Sequence, residues 1–289
     1  MTSETRRSVL ITGAASGIGA ATARRLAEAG WLVGLGDVDD EGAAALAKAL
    51  ADELGEGRAL ALALDVRDEA AWARAVEAFG TASGGRLDVL INNAGLLMAG
   101  PLAEMPVAKL RDLVEVNLTG AVLGVQACLP LLAATPGARI VNIASIAGLR
   151  ALPEAAVYSA TKFALRGLGQ ALRDELKPLG VAVSTVYPGF ARTPMLAGAG
   201  FDATLEARLE AGGFDTYSAN TIAKAVVKAV LRGRDEAGAG SQGRALRMLA
   251  AVSPPLLALI WRLGQRRAAK AAGSDRSRAG SKKRSGPGA

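Results

Sequence analysis

"VLITGAASGIGAATARRLAEAG", residues 9–30, decides the fold. A short apolar run passes into a glycine-rich turn and then into a helical pattern. Gly13, Gly17 and Gly19 follow a G-x-x-x-G-x-G spacing, not the commoner G-x-G-x-x-G. Glycines allow a tight turn and let backbone N–H groups approach an anion at a positive helix N-terminus. An ordinary βα loop would use the same residues, so the turn alone does not settle its role.

Outward from this stretch, apolar runs at 8–12, 31–36, 59–64, 87–91, 139–144 and 181–187 read as strands. Helical patterns near 17–29, 40–54, 69–79, 106–133 and 155–176 lie between them, and a further one spans 218–232. This alternation implies βαβ units and an α/β, doubly wound parallel sheet covered on both faces. A seventh strand would fall near 235–243, where "DEAGAGSQG" has almost no strand-forming residues, and it stays open.

Composition limits the chemistry. The 289 residues contain no histidine and a single cysteine, Cys128. That excludes Ser-His and Cys-His catalysis and an internal disulfide and argues against a thiolate metal set, so no metal is expected. Proton transfer falls to Tyr, Lys, Asp, Glu or water. The lone cysteine suits a reducing, cytoplasmic compartment. Residues 262–289 hold nine Lys/Arg against one Asp, a local +8 within the net +7, which leaves the preceding 261 residues at −1. The globular part therefore offers no electrostatic case for nucleic acid. The N-terminus lacks the apolar run of a leader, and no 18 uninterrupted apolar residues suggest a spanning helix.

Asp37 lies 18 residues beyond Gly19 at the end of the second strand, where an acid accepts adenosine ribose hydroxyls and repels a 2′-phosphate. Asp39 and Asp40 add negative charge, although "DVDDEG" also reads as a solvated acidic turn. Asp65 ends the third strand, where it would face the adenine amino group. Asn92 and Gly95 in "INNAGL" close the fourth beside the same crevice. In "AVYSATKFAL" (156–165), Tyr158 and Lys162 stand at i and i+4 and share a helical face. Two unit charges about 4 Å apart at an effective dielectric near 20 interact by ~4 kcal/mol. The ammonium is therefore expected to pull the phenol well below its usual value. Taken alone, the pair also fits a surface helix contact.

"TGAASGIG", "NNAG", Asn117, Ser145, "YSATK" and "PGFARTPM" occur in an order and spacing that resemble the short-chain dehydrogenase/reductase family over roughly residues 8–235. The resemblance implies a single-domain Rossmann fold, a nicotinamide cofactor and a catalytic group of Asn117, Ser145, Tyr158 and Lys162. Tyr158 would be the general acid/base, Ser145 a hydrogen-bond partner of the substrate oxygen, and Asn117 the holder of a water linking the lysine to solvent. Cofactor contacts would come from Gly13, Ser16, Gly17, Ile18 and Gly19, then Asp37, Asp65 and Val66, then Asn92, Ala94 and Gly95. Tyr158 and Lys162 would join them, as would Pro188, Gly189 and Thr193 past the sixth strand. NAD is expected over NADP because of Asp37. The runner-up is an NADPH-dependent carbonyl or 3-oxoacyl ketoreductase. A non-catalytic cofactor sensor or membrane scaffold is the alternative from another class.

Leu96, Leu97, Met98, Ile146, Leu149, Leu152, Phe190, Met195, Leu196 and Phe201 offer an apolar substrate wall, with Gly198 and Gly200 as hinges of a lid-like 190–215. A lipophilic secondary alcohol or ketone fits that wall. The expected organisation is a catalytic domain over 1–240, a helical extension over 241–272 and a disordered basic tail over 273–289. Within the extension, Ser253 and Pro254 start a helix whose apolar residues precede Arg262, Arg266, Arg267 and Lys270. Segment 253–272 would cover the substrate mouth, form a subunit contact or lie on anionic membrane as a peripheral helix. A homo-oligomer is expected from the family likeness.

Overall fold

The computed structural model describes residues 6–199, 207, 211, 214–233, 235–264 and 266–267. Strands β1 (Ser8–Thr12), β2 (Leu32–Asp37), β3 (Ala59–Ala63), β4 (Val89–Asn92), β5 (Arg139–Ile143) and β6 (Ala182–Pro188) form where the apolar runs placed them. All pair in parallel in the order β3-β2-β1-β4-β5-β6. The order reverses between β1 and β4, the switch point outside whose carboxyl ends ligands of open α/β sheets gather.

Helices α1 (Gly17–Glu28), α2 (Asp40–Leu54), α3 (Glu69–Ser83), α4 (Val107–Val114) and α5 (Gly120–Ala134) follow in turn. They are succeeded by α6 (Ala156–Glu175), α7 (Pro194–Gly198) and α8 (Ala219–Arg232). The inner strands β1, β2 and β4 to β6 are buried on both faces, and their period-2 geometry splits the core. Val9, Ile11, Val33 and Leu35 pack with α1, α2 and α8, whereas Leu10 and Leu90 face Trp72, Phe79, Val125 and Leu172 of the opposite layer. The helical run 107–134 is long and apolar enough by composition to cross a membrane. Here it serves as a core element, with Leu113, Val125, Cys128 and Leu132 buried.

Two strand features exceed the sequence reading. Short β7 (Phe190–Arg192) and β8 (Thr216–Ser218) make a separate parallel ribbon. The open seventh strand exists as β9 (Glu236–Ala239), paired from Thr185↔Glu236 to Pro188↔Ala239. Its residues have little strand preference, so tertiary pairing at the sheet edge imposes the conformation. The Tyr187 hydroxyl donates to Glu236 Oε1 at 2.9 Å and pins that edge.

Helix α9 (Gly240–Val252) follows β9 directly, and a break at Ser253 precedes α10 (254–264). The Ser253 carbonyl accepts from Leu257 N at 3.1 Å, so Ser253 starts α10 as its position before Pro254 suggested. Leu257 and Trp261, one turn apart, are buried against the body. Leu256, Leu259, Ile260 and Leu263 face outward. The expected disorder of 273–289 lies outside the described residues, as do Gly200, Phe201 and Lys270.

Candidate active site

The turn after β1 opens a cavity of roughly 620 Å³ that runs along the carboxyl ends of the strands. Gly13 and Gly17 have φ of 65° and 56°, a region glycine enters without steric cost. Gly19 does not line the cavity; it is buried, and a Cβ there would overlap the Gly13 carbonyl oxygen. Its part is to let α1 close against the turn. Ser16 occupies the N-cap of α1 without a side-chain bond to the helix, so the first-turn N–H groups face the cavity beside an uncommitted hydroxyl. This cradle fits the pyrophosphate of a dinucleotide.

Charge collects at the same end. Asp37 Oδ2 accepts from Ala15 N at 2.8 Å and Oδ1 from Asp39 N at 3.0 Å, which fixes the carboxylate at the cavity wall. Asp65 and Val66 also line the wall, but Asp65 is engaged by Arg67, with Nη2 at 2.6 Å and Nε at 3.0 Å. That guanidinium holds the Asp65 carboxyl below its ordinary range and also lies 3.5 Å from Asp112. Arg67 lines the cavity too and was not singled out from the sequence.

Asn92 requires a correction. It is buried in the sheet, donating to Asn142 Oδ1 at 3.0 Å, and does not reach the cavity. Asn93, one residue on and on the other side of the pleat, lines it instead and donates to the Thr12 and Gly13 carbonyls at 2.9 and 3.0 Å. Ile18, Ala94, Gly95, Pro188, Gly189 and Thr193 all reach the cavity. A Cβ on Gly17 would stand 3.3 Å from Thr193 Cγ2, a measure of how closely the segment after β6 covers the turn.

Ser145, Tyr158 and Lys162 share the next section of wall. Ser145 lies two residues past β5 and caps the short 3-10 turn Ile146–Gly148, accepting from Ala147 N at 3.1 Å. Tyr158 and Lys162 sit on the buried face of α6, 9% and 4% exposed. The close approach of that turn to α6 requires Gly148, where a Cβ would come within 2.5 Å of the Lys162 carbonyl oxygen. Lys162 Nζ donates to the Ile143 carbonyl at 3.1 Å and lies 5.6 Å from the Tyr158 ring centroid.

The expected acidification of the phenol is not met. Burial pushes Tyr158 up, and a hydrogen bond from Ser145 draws it only partly back. Lys162 is itself pulled down to about 8 by burial. The ammonium lies beside the ring and is committed to a backbone carbonyl, so desolvation outweighs its attraction for the phenolate.

Asn117 lies in a π-helical turn, Glu115–Thr119, between α4 and α5. Its Oδ1 accepts from Leu96 N at 2.7 Å, while Nδ2 donates to Leu96 O at 3.0 Å and Thr161 Oγ1 at 3.1 Å. The side chain therefore ties the segment after β4 to the helix that carries Tyr158 and Lys162. It does not line the cavity.

The far end is apolar. Leu96, Leu97, Ile146, Leu152, Phe190, Met195 and Leu196 line it as expected, whereas Met98 and Leu149 do not. Leu149 packs in the core with Tyr187. Behind this wall, Phe214 stands 6.1 Å from Phe190 and 4.6 Å from Trp261, centroid to centroid. Phe214 was not foreseen; Trp261 falls in the segment for which covering the substrate mouth was one expectation, but nothing local in the sequence links either residue to Ile146.

The family model described as short chain dehydrogenase matches residues 7–202. A 3-alpha-(or 20-beta)-hydroxysteroid dehydrogenase of Mycobacterium bovis is 39% identical over 186 residues, covering 64% of this chain and 69% of that protein. A short chain dehydrogenase/reductase from Burkholderia phymatum in complex with NAD superposes with a TM-score of 0.74 at 26% identity, covering 87% of this chain and 94% of that one. A short chain dehydrogenase from Burkholderia cenocepacia in complex with NADP gives 0.72 at 26% identity, with 89% and 97% covered.

Proposed function

This chain belongs to the short chain dehydrogenase family and is an oxidoreductase, and from that premise we propose that it exchanges hydride between NAD and a lipophilic secondary alcohol or ketone. The observation that carries the reading is the meeting of Ser145, Tyr158 and Lys162 on one wall of a cavity with a polar glycine turn at one end and an apolar chamber at the other. A bound nicotinamide supplies the hydride acceptor or donor. The chain supplies the proton path. As the phenolate, Tyr158 takes the alcohol proton onto its oxygen, and as the phenol it gives that proton to a carbonyl; Ser145 holds the substrate oxygen by hydrogen bond. Lys162 provides positive charge beside the ring, and Asn117 fixes the segment after β4 against α6.

Asp37 supports preference for NAD, since a 2′-phosphate beside it would meet a fixed carboxylate. Arg67 does not offset this while Asp65 and Asp112 engage it. The apolar wall and the hydroxysteroid-oxidising relative support a lipophilic substrate. We take 1–240 as the catalytic domain, with 241–272 as a helical cover, in a cytoplasmic setting. Cys128 is buried and its thiol is pushed up to about 12, which leaves it unreactive.

A panel of lipophilic secondary alcohols is the test. Wild type reduces NAD with them, and Tyr158→Phe loses about a thousandfold in kcat. Equal rates in the two proteins would overturn the reading.

A second reading is an NADPH-dependent carbonyl or 3-oxoacyl reductase, favoured by the upward push on Tyr158, since a neutral phenol is the form that donates to a carbonyl. Relative Kd values for NADH and NADPH separate the two. Two associations are part of the proposal. The outward apolar stripe of α10 with Arg262, Arg266 and Arg267 suits peripheral contact with anionic bilayers, checked by sedimentation with vesicles. Exposed Val107, Val114 and Phe163 suit self-association, checked by light scattering.

A further inference from the structure

Helix α10 lies outside the residues that match the family, yet it packs on the substrate end of the site. Trp261 is 3% exposed and shares one apolar cluster with Ile146 and Phe214, against which Leu152 and Phe190 also pack. Ile146, Leu152 and Phe190 line the cavity, and Trp261 stands one layer behind them. Among the described residues, the buried indole Nε1–H finds no acceptor. Among the described residues, the backbone bond to Ser253 at its start is the polar link given for α10; Leu257 and Trp261 hold it to the body by apolar contact.

We propose that Trp261 is a specificity-determining residue that closes the apolar end of the chamber and sets the length of substrate it admits. The inference rests on the oxidoreductase reading above. Ile146, Leu152 and Phe190 keep their places because a large rigid ring fills the space behind them. With the ring removed, those side chains fall back and the chamber deepens on the side that Ile146, Leu152 and Phe190 wall. The substrate class so selected is a ketone or secondary alcohol with an extended apolar body, its reacting oxygen at Ser145 and its far end against the wall that Trp261 supports.

The test is a series of 2-alkanones from four to twelve carbons, with the intact protein, Trp261→Ala and Trp261→Phe. Both kcat/KM and equilibrium binding of each ketone are measured, together with the Kd of NADH. The expected result is that Trp261→Ala moves the optimum to longer ketones, with the ratio of longest to shortest rising about tenfold or more. Kd for NADH changes less than about twofold, because the adenosine end lies beyond the reach of the substitution. Trp261→Phe restores most of the original preference. A uniform loss across the series, or an unchanged length profile, overturns the proposal. If no ketone is turned over by wild type, the functional reading fails separately; the binding series still decides the role of Trp261, by a shifted or an unshifted length preference.

Discussion

The two ends of the cavity are built by different means. The adenosine end is backbone and charge: a glycine turn, a helix N-terminus, Asp37 held by two N–H groups, and Arg67 shared between Asp65 and Asp112. The substrate end is side-chain volume, assembled from Ile146, Leu152, Phe190, Phe214 and Trp261. Parts of the first end lie within short sequence spans, so it tolerates little variation. Parts of the second come from segments more than a hundred residues apart, so its shape is free to change while the reaction stays the same. A fold that keeps chemistry constant and varies the substrate needs this division.

Lys162 stands between the two ends, and its removal should produce the largest effect among the tests of this contrast. Lys162→Met is expected to cost at least a hundredfold in kcat/KM. It should also stabilise the protein. Burial lowers the lysine from 10.5 to about 8, a folded-state penalty of about 3 kcal/mol for the charged form at neutral pH. The lost bond to the Ile143 carbonyl offsets part of this, which leaves a gain of about 1–2 kcal/mol, read by urea denaturation. A destabilised variant would place Lys162 among structural residues.

The pH dependence follows with opposite signs for activity and stability. Between pH 8 and 10.5 the unfolded chain binds a proton at this lysine that the folded chain has released. Its penalty is full below pH 8 and fades as pH rises through that window. Activity that needs the ammonium should instead fall as pH rises through about 8, visible in kcat/KM. Lys162→Met should remove this portion of both profiles.

Smaller effects sharpen the adenosine end. Asp37→Ser should raise the NADP/NAD ratio of kcat/KM by about tenfold. An unchanged ratio would show that the carboxylate does not discriminate.

What the sequence made legible follows the same division. The strands, the glycine turn and the positions of Ser145, Tyr158 and Lys162 rest on local patterns, and they fold where those patterns put them. Strand β9 was hidden because pairing with β6, not propensity, makes it. Asn93 was passed over for Asn92 because one residue of register exchanges a cavity wall for the core. The state of the phenol was misjudged for a different reason. Spacing gives the distance between two groups, whereas desolvation depends on everything around them. Phe214 and Trp261 meet only through tertiary packing, which no local period reports.

Because apolar contact of Leu257 and Trp261 is what holds α10 to the body among the described residues, its grip should weaken in the cold, as apolar attraction does. The discrimination between long and short ketones ought to narrow by about two- to threefold between 30 and 5 °C, while far-UV circular dichroism stays constant. Such an enzyme would be choosier in a warm cell than on ice.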